Sequence, residues 1–68
     1  MSTAAEVRER VQSALSGAPK TFTQVWLALG GTNDIWNATS RALQSLRRAG
    51  LIEHRRVGRL IYWSVTKP

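Results

Sequence analysis

Residues 50–65 read GLIEHRRVGRLIYWSV, and they set three arginines and a histidine beside a run of large apolar and aromatic side chains. That much charge does not suit a core strand, and Tyr62 with Trp63 does not suit a solvated loop. A two-stranded hairpin accommodates both. Gly58-Arg59 suits a two-residue type II′ turn, whose first residue needs the positive φ that glycine adopts without strain. With that turn, Val57 faces Leu60, Arg56 faces Ile61, Arg55 faces Tyr62, His54 faces Trp63, Glu53 faces Ser64 and Ile52 faces Val65. Opposed residues share a face of the ribbon. Ile52, Val65, Trp63 and Ile61 therefore form one apolar face toward the body of the domain, and Glu53, Arg55 and Tyr62 fall on the other. A one-residue slip would separate Ile52 from Val65, so the register is specified. The prediction is an anchored hairpin with arginines at its tip and outer face, and with His54 packed on Trp63.

Upstream lies the longest helical segment, TNDIWNATSRALQSLRRAG, residues 32–50. Thr32, Asn33 or Asp34 can cap it, Gly50 ends it, and Arg47 with Arg48 complements the negative end of the helix dipole. At about 100° per residue, Ile35, Thr39, Ala42, Leu43 and Leu46 occupy one apolar arc. The opposite arc holds Asn37, Ser40, Arg41, Gln44 and Arg48, which are hydrogen-bonding side chains with no carboxylate among them. Ordinary solvated helix faces mix both signs of charge. Trp36 sits at the border of this arc as a plug at the core edge.

Two shorter segments precede it. KTFTQVWLALGG, residues 20–31, predicts a brief extended piece at 20–22 and a two-turn helix ended by Gly30-Gly31. Thr23 is the expected N-cap, Phe22 is expected to clasp Leu27 across the helix start, and Val25, Trp26 and Leu29 supply the buried face. At the N-terminus, Thr3-Ala4-Ala5-Glu6 is a capping-box pattern. Ala4, Val7, Val11, Ala14 and Leu15 then recur at helical spacing up to Gly17-Ala18-Pro19, which predicts a helix over about residues 3–16.

The chain has 68 residues, 43% of them hydrophobic, which is the size of one small domain. Its net charge of +6 is unevenly placed. Residues 1–34 balance Arg8, Arg10 and Lys20 against Glu6, Glu9 and Asp34. Residues 35–68 set Arg41, Arg47, Arg48, Arg55, Arg56, Arg59 and Lys67 against Glu53 alone. A one-sided basic surface on a small domain points to a polyanion, most often nucleic acid. With no cysteine, neither disulfides nor thiolate metal sites are available. No apolar run spans a membrane and no secretory leader is evident, so an intracellular, cytoplasmic or nucleoid-associated protein is expected. His54 is the only histidine, the acids are scattered, and no phosphate loop or metal-ligand spacing occurs. No enzyme activity, cofactor or metal is expected.

Three helices followed by a basic hairpin is the order of a winged helix-turn-helix domain, an α+β fold that is mostly α. Within that order, SRALQSLRRAGLIEHRRVGRLIYWSV (residues 40–65) resembles the end of the recognition helix and the wing of the ArsR-type winged-helix regulators and the related MarR-like ones. Ser40-Arg41 sits where those families often have a Ser-Arg or Ser-His pair. Leu43 and Leu46 fall on their core leucines, Ala49 to Ile52 on the helix-to-strand junction, Gly58-Arg59 on the wing turn, and Tyr62 to Val65 on the closing strand. The resemblance covers about residues 20–65. The metal-sensing sites of many such regulators do not carry over, and the extra helices they use to dimerise have no counterpart. A monomer or weak homodimer is expected, with two copies able to share DNA at spaced half-sites.

This implies a small transcriptional regulator, a repressor or a DNA-organising factor, bound to double-stranded DNA. Asn and Gln can pair with adenine and Arg with guanine in the major groove, so Asn37, Arg41 and Gln44, with Ser40, Arg48 and Trp36 beside them, are the expected base-facing set. Arg55, Arg56 and Arg59 of the wing are expected on phosphate or in the minor groove. Thr23 and Gln24 would open the second helix toward a phosphate. The alternative is a winged-helix module that docks on the transcription machinery or another acidic protein.

Overall fold

The helix that opens the chain forms because Val7, Val11 and Leu15 recur every four residues and bury together against one another's turn. The computed structural model describes residues 3–66; Lys67, counted above among the cations, lies outside them. The elements are α1 (Ala4–Leu15), β1 (Lys20–Thr21), α2 (Phe22–Ala28), α3 (Asn33–Arg48), β2 (Ile52–Val57) and β3 (Leu60–Val65). They make an α+β arrangement, mostly helical, in which three helices pack beside a three-stranded antiparallel sheet of order β1-β3-β2. Thr3 caps α1 by accepting a hydrogen bond from the Glu6 N–H at 3.2 Å, as its capping pattern implies.

The hairpin has the register read from its turn. Ile52 pairs with Val65, His54 with Trp63 and Val57 with Leu60, and every intermediate pair follows. Gly58 has φ 62° and no non-glycine residue has positive φ among the described residues, which is the sign pattern a type II′ turn needs. The apolar face is narrower than its sequence suggests. Ile52 is buried and Trp63 packs against the core, but Ile61 and Val65 are exposed. Burial is confined to the base of the hairpin: Ile52 is buried and every later residue of β2 is exposed.

A third strand completes the sheet. Lys20 and Thr21 pair with Trp63 and Tyr62, which holds Thr21 extended at φ −73°, ψ 164°. That is the conformation an N-cap requires. The helix consequently starts at Phe22, with Thr21 rather than Thr23 as its cap. Thr21 Oγ1 accepts from the Gln24 N–H at 3.3 Å and Gln24 Oε1 accepts from the Thr21 N–H at 3.0 Å, a reciprocal capping box. Phe22 is then the first helical residue and does not clasp Leu27, which is exposed.

Val25 from α2 and Leu29 at its C-cap join Val7, Val11 and Leu15 from α1, and Ala42, Leu43 and Leu46 from α3, with Ile52 closing the core from the sheet. Thr39 is the one polar residue fully inside among those described; its hydroxyl donates to the Ile35 carbonyl at 2.7 Å, so it carries no unpaired group into the core. Arg10 donates from its guanidinium to the Leu29 carbonyl at 3.3 Å, which ties α1 to the negative end of α2.

The exit of α3 is a Schellman motif: the Gly50 N–H donates to Arg47 O and the Leu51 N–H to Leu46 O, both at 3.0 Å. Gly50 sits at φ +77°. Thr66 returns to the same corner, its N–H donating to Leu51 O at 3.1 Å and its hydroxyl to Gly50 O at 2.8 Å. A Cβ added at Gly50 would meet nothing within 4 Å, so Gly50→Ala isolates the backbone cost. We expect a loss of about 1–2 kcal/mol in urea unfolding, against no loss for Gly17→Ala, which has equal space and no positive φ in that range. Equal effects at both positions would remove the left-handed corner as a determinant of stability.

Candidate nucleic-acid interface

Because α3 buries Thr39, Ala42, Leu43 and Leu46, its opposite side is presented outward. Asn37, Arg41, Gln44 and Arg48 are all exposed and Ser40 is half-buried. The outward side divides into two slopes. Ser40, Gln44, Arg47 and Arg48 border a shallow groove whose other bank is Phe22 and Trp63. Arg41 lies on the other slope, in the seam between α1 and α3 with Arg8, Ala38 and Ser45. The expected base-facing residues thus share one helix side, but Arg41 leans toward α1 and not toward the hairpin.

Arg47 was expected only as a general cation, yet it borders the groove beside Ser40 and Gln44. The signal was available: Arg47 is three residues from Gln44 and seven from Ser40, on one helical row. Phe22 and Trp63 as the facing bank were not readable, since β1–β3 pairing brings them there.

Phe22 and Trp63 also border a second groove, which continues past Thr21 and Thr23 to Arg59, Leu60 and Ile61 of the hairpin. One surface therefore runs from α3 to the hairpin tip. The residues along both grooves include threonine, serine, glutamine and arginine and no acid. The acids are elsewhere: Glu6 and Glu9 on α1, Asp34 in the first turn of α3, Glu53 on the far side of the sheet.

The three hairpin arginines do not act as one cluster. Arg56 shares the Trp63 face by strand alternation, and its Nε–H donates to Gly58 O at 3.2 Å, which braces the turn. Arg59 occupies the turn itself. Arg55 lies on the opposite face, beside Pro19, Tyr62 and Glu53, turned from the surface that α3 presents. At the other end, Thr23 is exposed in the first turn of α2, while Gln24 has its carbonyl engaged by the cap.

Trp26, expected in the core, sits half-buried at its rim, with its indole N–H donating to Thr32 O at 2.7 Å. Trp36 is 43% exposed, yet its ring meets Phe22 edge-on at 4.5 Å between centroids and Trp26 at 4.9 Å. It is a strut joining α2 to α3. His54 lies 5.2 Å from Trp63, ring to ring, as its cross-strand position implies. Among the described residues no group of three or more His, Cys, Asp or Glu is placed to hold a metal ion, and no helix is long and apolar enough to cross a membrane.

Comparison with known proteins finds no matching family model, no matching curated protein and no matching solved structure. Edge-to-face pairs contribute about 0.5–1.5 kcal/mol each beyond burial. Trp36→Ala should therefore lower unfolding free energy by about 1–3 kcal/mol, while Asn37→Ala and Gln44→Ala change it by less than about 0.5 kcal/mol. Chemical denaturation of the three variants checks this; a silent Trp36 change would leave that ring free for a partner.

Proposed function

We propose that the chain is a winged helix-turn-helix domain, similar to the ArsR- and MarR-like regulators, that binds double-stranded DNA and serves as a small transcriptional regulator in the cytoplasm or nucleoid. One observation carries the reading: an acid-free surface runs unbroken from the outer side of α3, across Phe22 and Trp63, to Arg59 at the hairpin turn. It combines cations for phosphates with neutral amides and hydroxyls that can discriminate bases.

α3 has 16 residues, about 24 Å of helix, and the major groove, about 12 Å wide, admits one. With α3 seated there, Asn37 and Gln44 offer paired amide hydrogen bonds to adenine edges. Arg41 and Arg48 reach guanine or the flanking backbone. The wing lies across the backbone toward the minor groove, with Arg56 and Arg59 at the phosphates. Arg55, on the far face, contributes little. The protein binds as a monomer, and two copies meet only where half-sites lie about one helical turn apart.

Selection from a random duplex pool should return a preferred site. On it, Asn37→Ala or Gln44→Ala should each cost about 1–3 kcal/mol and leave random DNA nearly unaffected. With about five phosphates engaged, log K against log salt should slope near −4 to −5. Arg56→Ala with Arg59→Ala should flatten that slope by about two, and Arg55→Ala by much less. A pool without enrichment, or equal losses on all duplexes, would reduce the protein to a backbone binder. Absence of binding to any duplex would transfer the basic surface to an acidic protein partner.

A further inference from the structure

We infer that the hairpin tip is an apolar wedge: Val57 and Leu60 enter the minor groove, partly unstack a base step and bend the duplex. This rests on the DNA-binding reading above and adds an activity to it. Val57 and Leu60 are the last cross-strand pair before the turn, and they are 56% and 52% exposed; Ile61, next in sequence on the other face of the ribbon, is 45% exposed. Residues 56–61 are thus three arginine or glycine positions and three apolar ones, with no neutral polar side chain and no acid. Isolated exposed apolar residues need no explanation, but a group of them on a projecting tip does.

Nothing among the described residues covers the tip. Ile52 is the only buried residue of β2, and Val57 is five residues farther out, about 16 Å at the rise of a strand. The neighbours define the occupant. Arg59 sits beside Leu60 and Ile61, Arg56 braces the turn at Gly58 and Arg55 lies on Val57's face, so the partner is apolar at the centre and anionic at its margins. A base step between two phosphate backbones has that profile. The Leu60 side of the tip also continues, through Phe22 and Trp63, into the polar bank of α3, while Val57 lies over the edge beside Arg55 and Tyr62. A duplex has a groove for α3 and a backbone and neighbouring groove for the tip, and so can touch both regions together, whereas a lipid surface reaching the tip offers no groove to α3.

The dimensions favour distortion. The minor groove is about 6 Å wide, and two strands about 4.8 Å apart, with side chains, overfill it. Entry widens the groove, and apolar side chains placed against an unstacked step recover burial that they lack in water.

The test uses end-labelled duplexes of about 30 base pairs, with a central flexible TA step, and reads bending by energy transfer. Val57→Thr with Leu60→Thr keeps strand-favouring side chains at exposed positions, circular dichroism checks the fold, and Leu60→Gln alone is the second variant. The parent should bend the duplex by about 20–90° and prefer a duplex with a mismatched central step by about tenfold or more. The variants should still bind, with the same salt slope, but bind a straight duplex and show no mismatch preference. A straight duplex with the parent, or equal bending by the variants, overturns the wedge while leaving the α3 reading intact. If the parent binds no duplex, both readings fall. Sedimentation and flotation with phosphatidylserine vesicles are run in parallel. Self-association or vesicle binding that the variants lose would assign the tip to a second copy or to lipid, and would overturn the wedge as well.

Discussion

Two residues, Lys20 and Thr21, laid against Trp63 and Tyr62, tie the hairpin to the start of α2. A hairpin alone is marginal in water, and a third strand beside a helix layer is what makes one persist. Here the third strand is only two residues long, yet it makes β3 the central strand. It fixes Thr21 in the extended state from which α2 can be capped, and so sets where α2 begins. It also sets Phe22 next to Trp63, on the bank facing α3. Closing the long loop between residues 21 and 62 costs entropy that grows only slowly with length, and burial of Ile52, Val25 and Leu43 around the same junction offsets it.

The core that supports this junction is aliphatic throughout. A chain this short buries only about 60% of its unfolded surface, and a buried tryptophan would occupy much of that volume. Aromatic side chains are instead placed at the rim, where one edge packs and the other meets water. Phe22, Trp36 and Trp26 lock α2 against α3, and Trp63 locks the hairpin against both. The exposed polar row of α3 therefore stands on a frame braced on either side, which is what accurate hydrogen bonding to a partner needs.

Local signals were legible in the sequence and long-range ones were not. The hairpin register followed from a two-residue turn and period-two alternation, the α3 core arc from helical spacing, and the Thr3 cap from its own four residues. The N-cap of α2 was misplaced by two residues because its position depends on a strand pairing with residues forty positions away. Trp26 was assigned inward by apolar character alone, which cannot distinguish a core from its rim. At the site, the residues on the outer side of α3 were readable, but the way they split between the α1 seam and the groove beside the sheet was not, since that depends on where α1 and the sheet dock. Strand parity already separated Arg55 from Arg56. Which of the two faces met α3 needed the structure.

That separation changes what the net charge means. Of the basic residues after position 34, Arg55 points to the far face of the sheet and Arg41 to the α1 seam. Arg47 and Arg48 remain along the groove, with Arg59 where the groove reaches the turn and Arg56 on the same sheet face. These four stand at the two ends of one surface, and between them lie Ser40, Gln44 and the aromatic bank. In the DNA-binding reading, arginines at both ends fix position along the backbone without reading sequence, because phosphates are alike at every step. Discrimination then falls to the neutral row between them. A domain with more cations in that row would hold any duplex more tightly and distinguish less among them. The scarcity of charge at Asn37, Ser40 and Gln44 is therefore as much a part of the proposed function as its excess on either side.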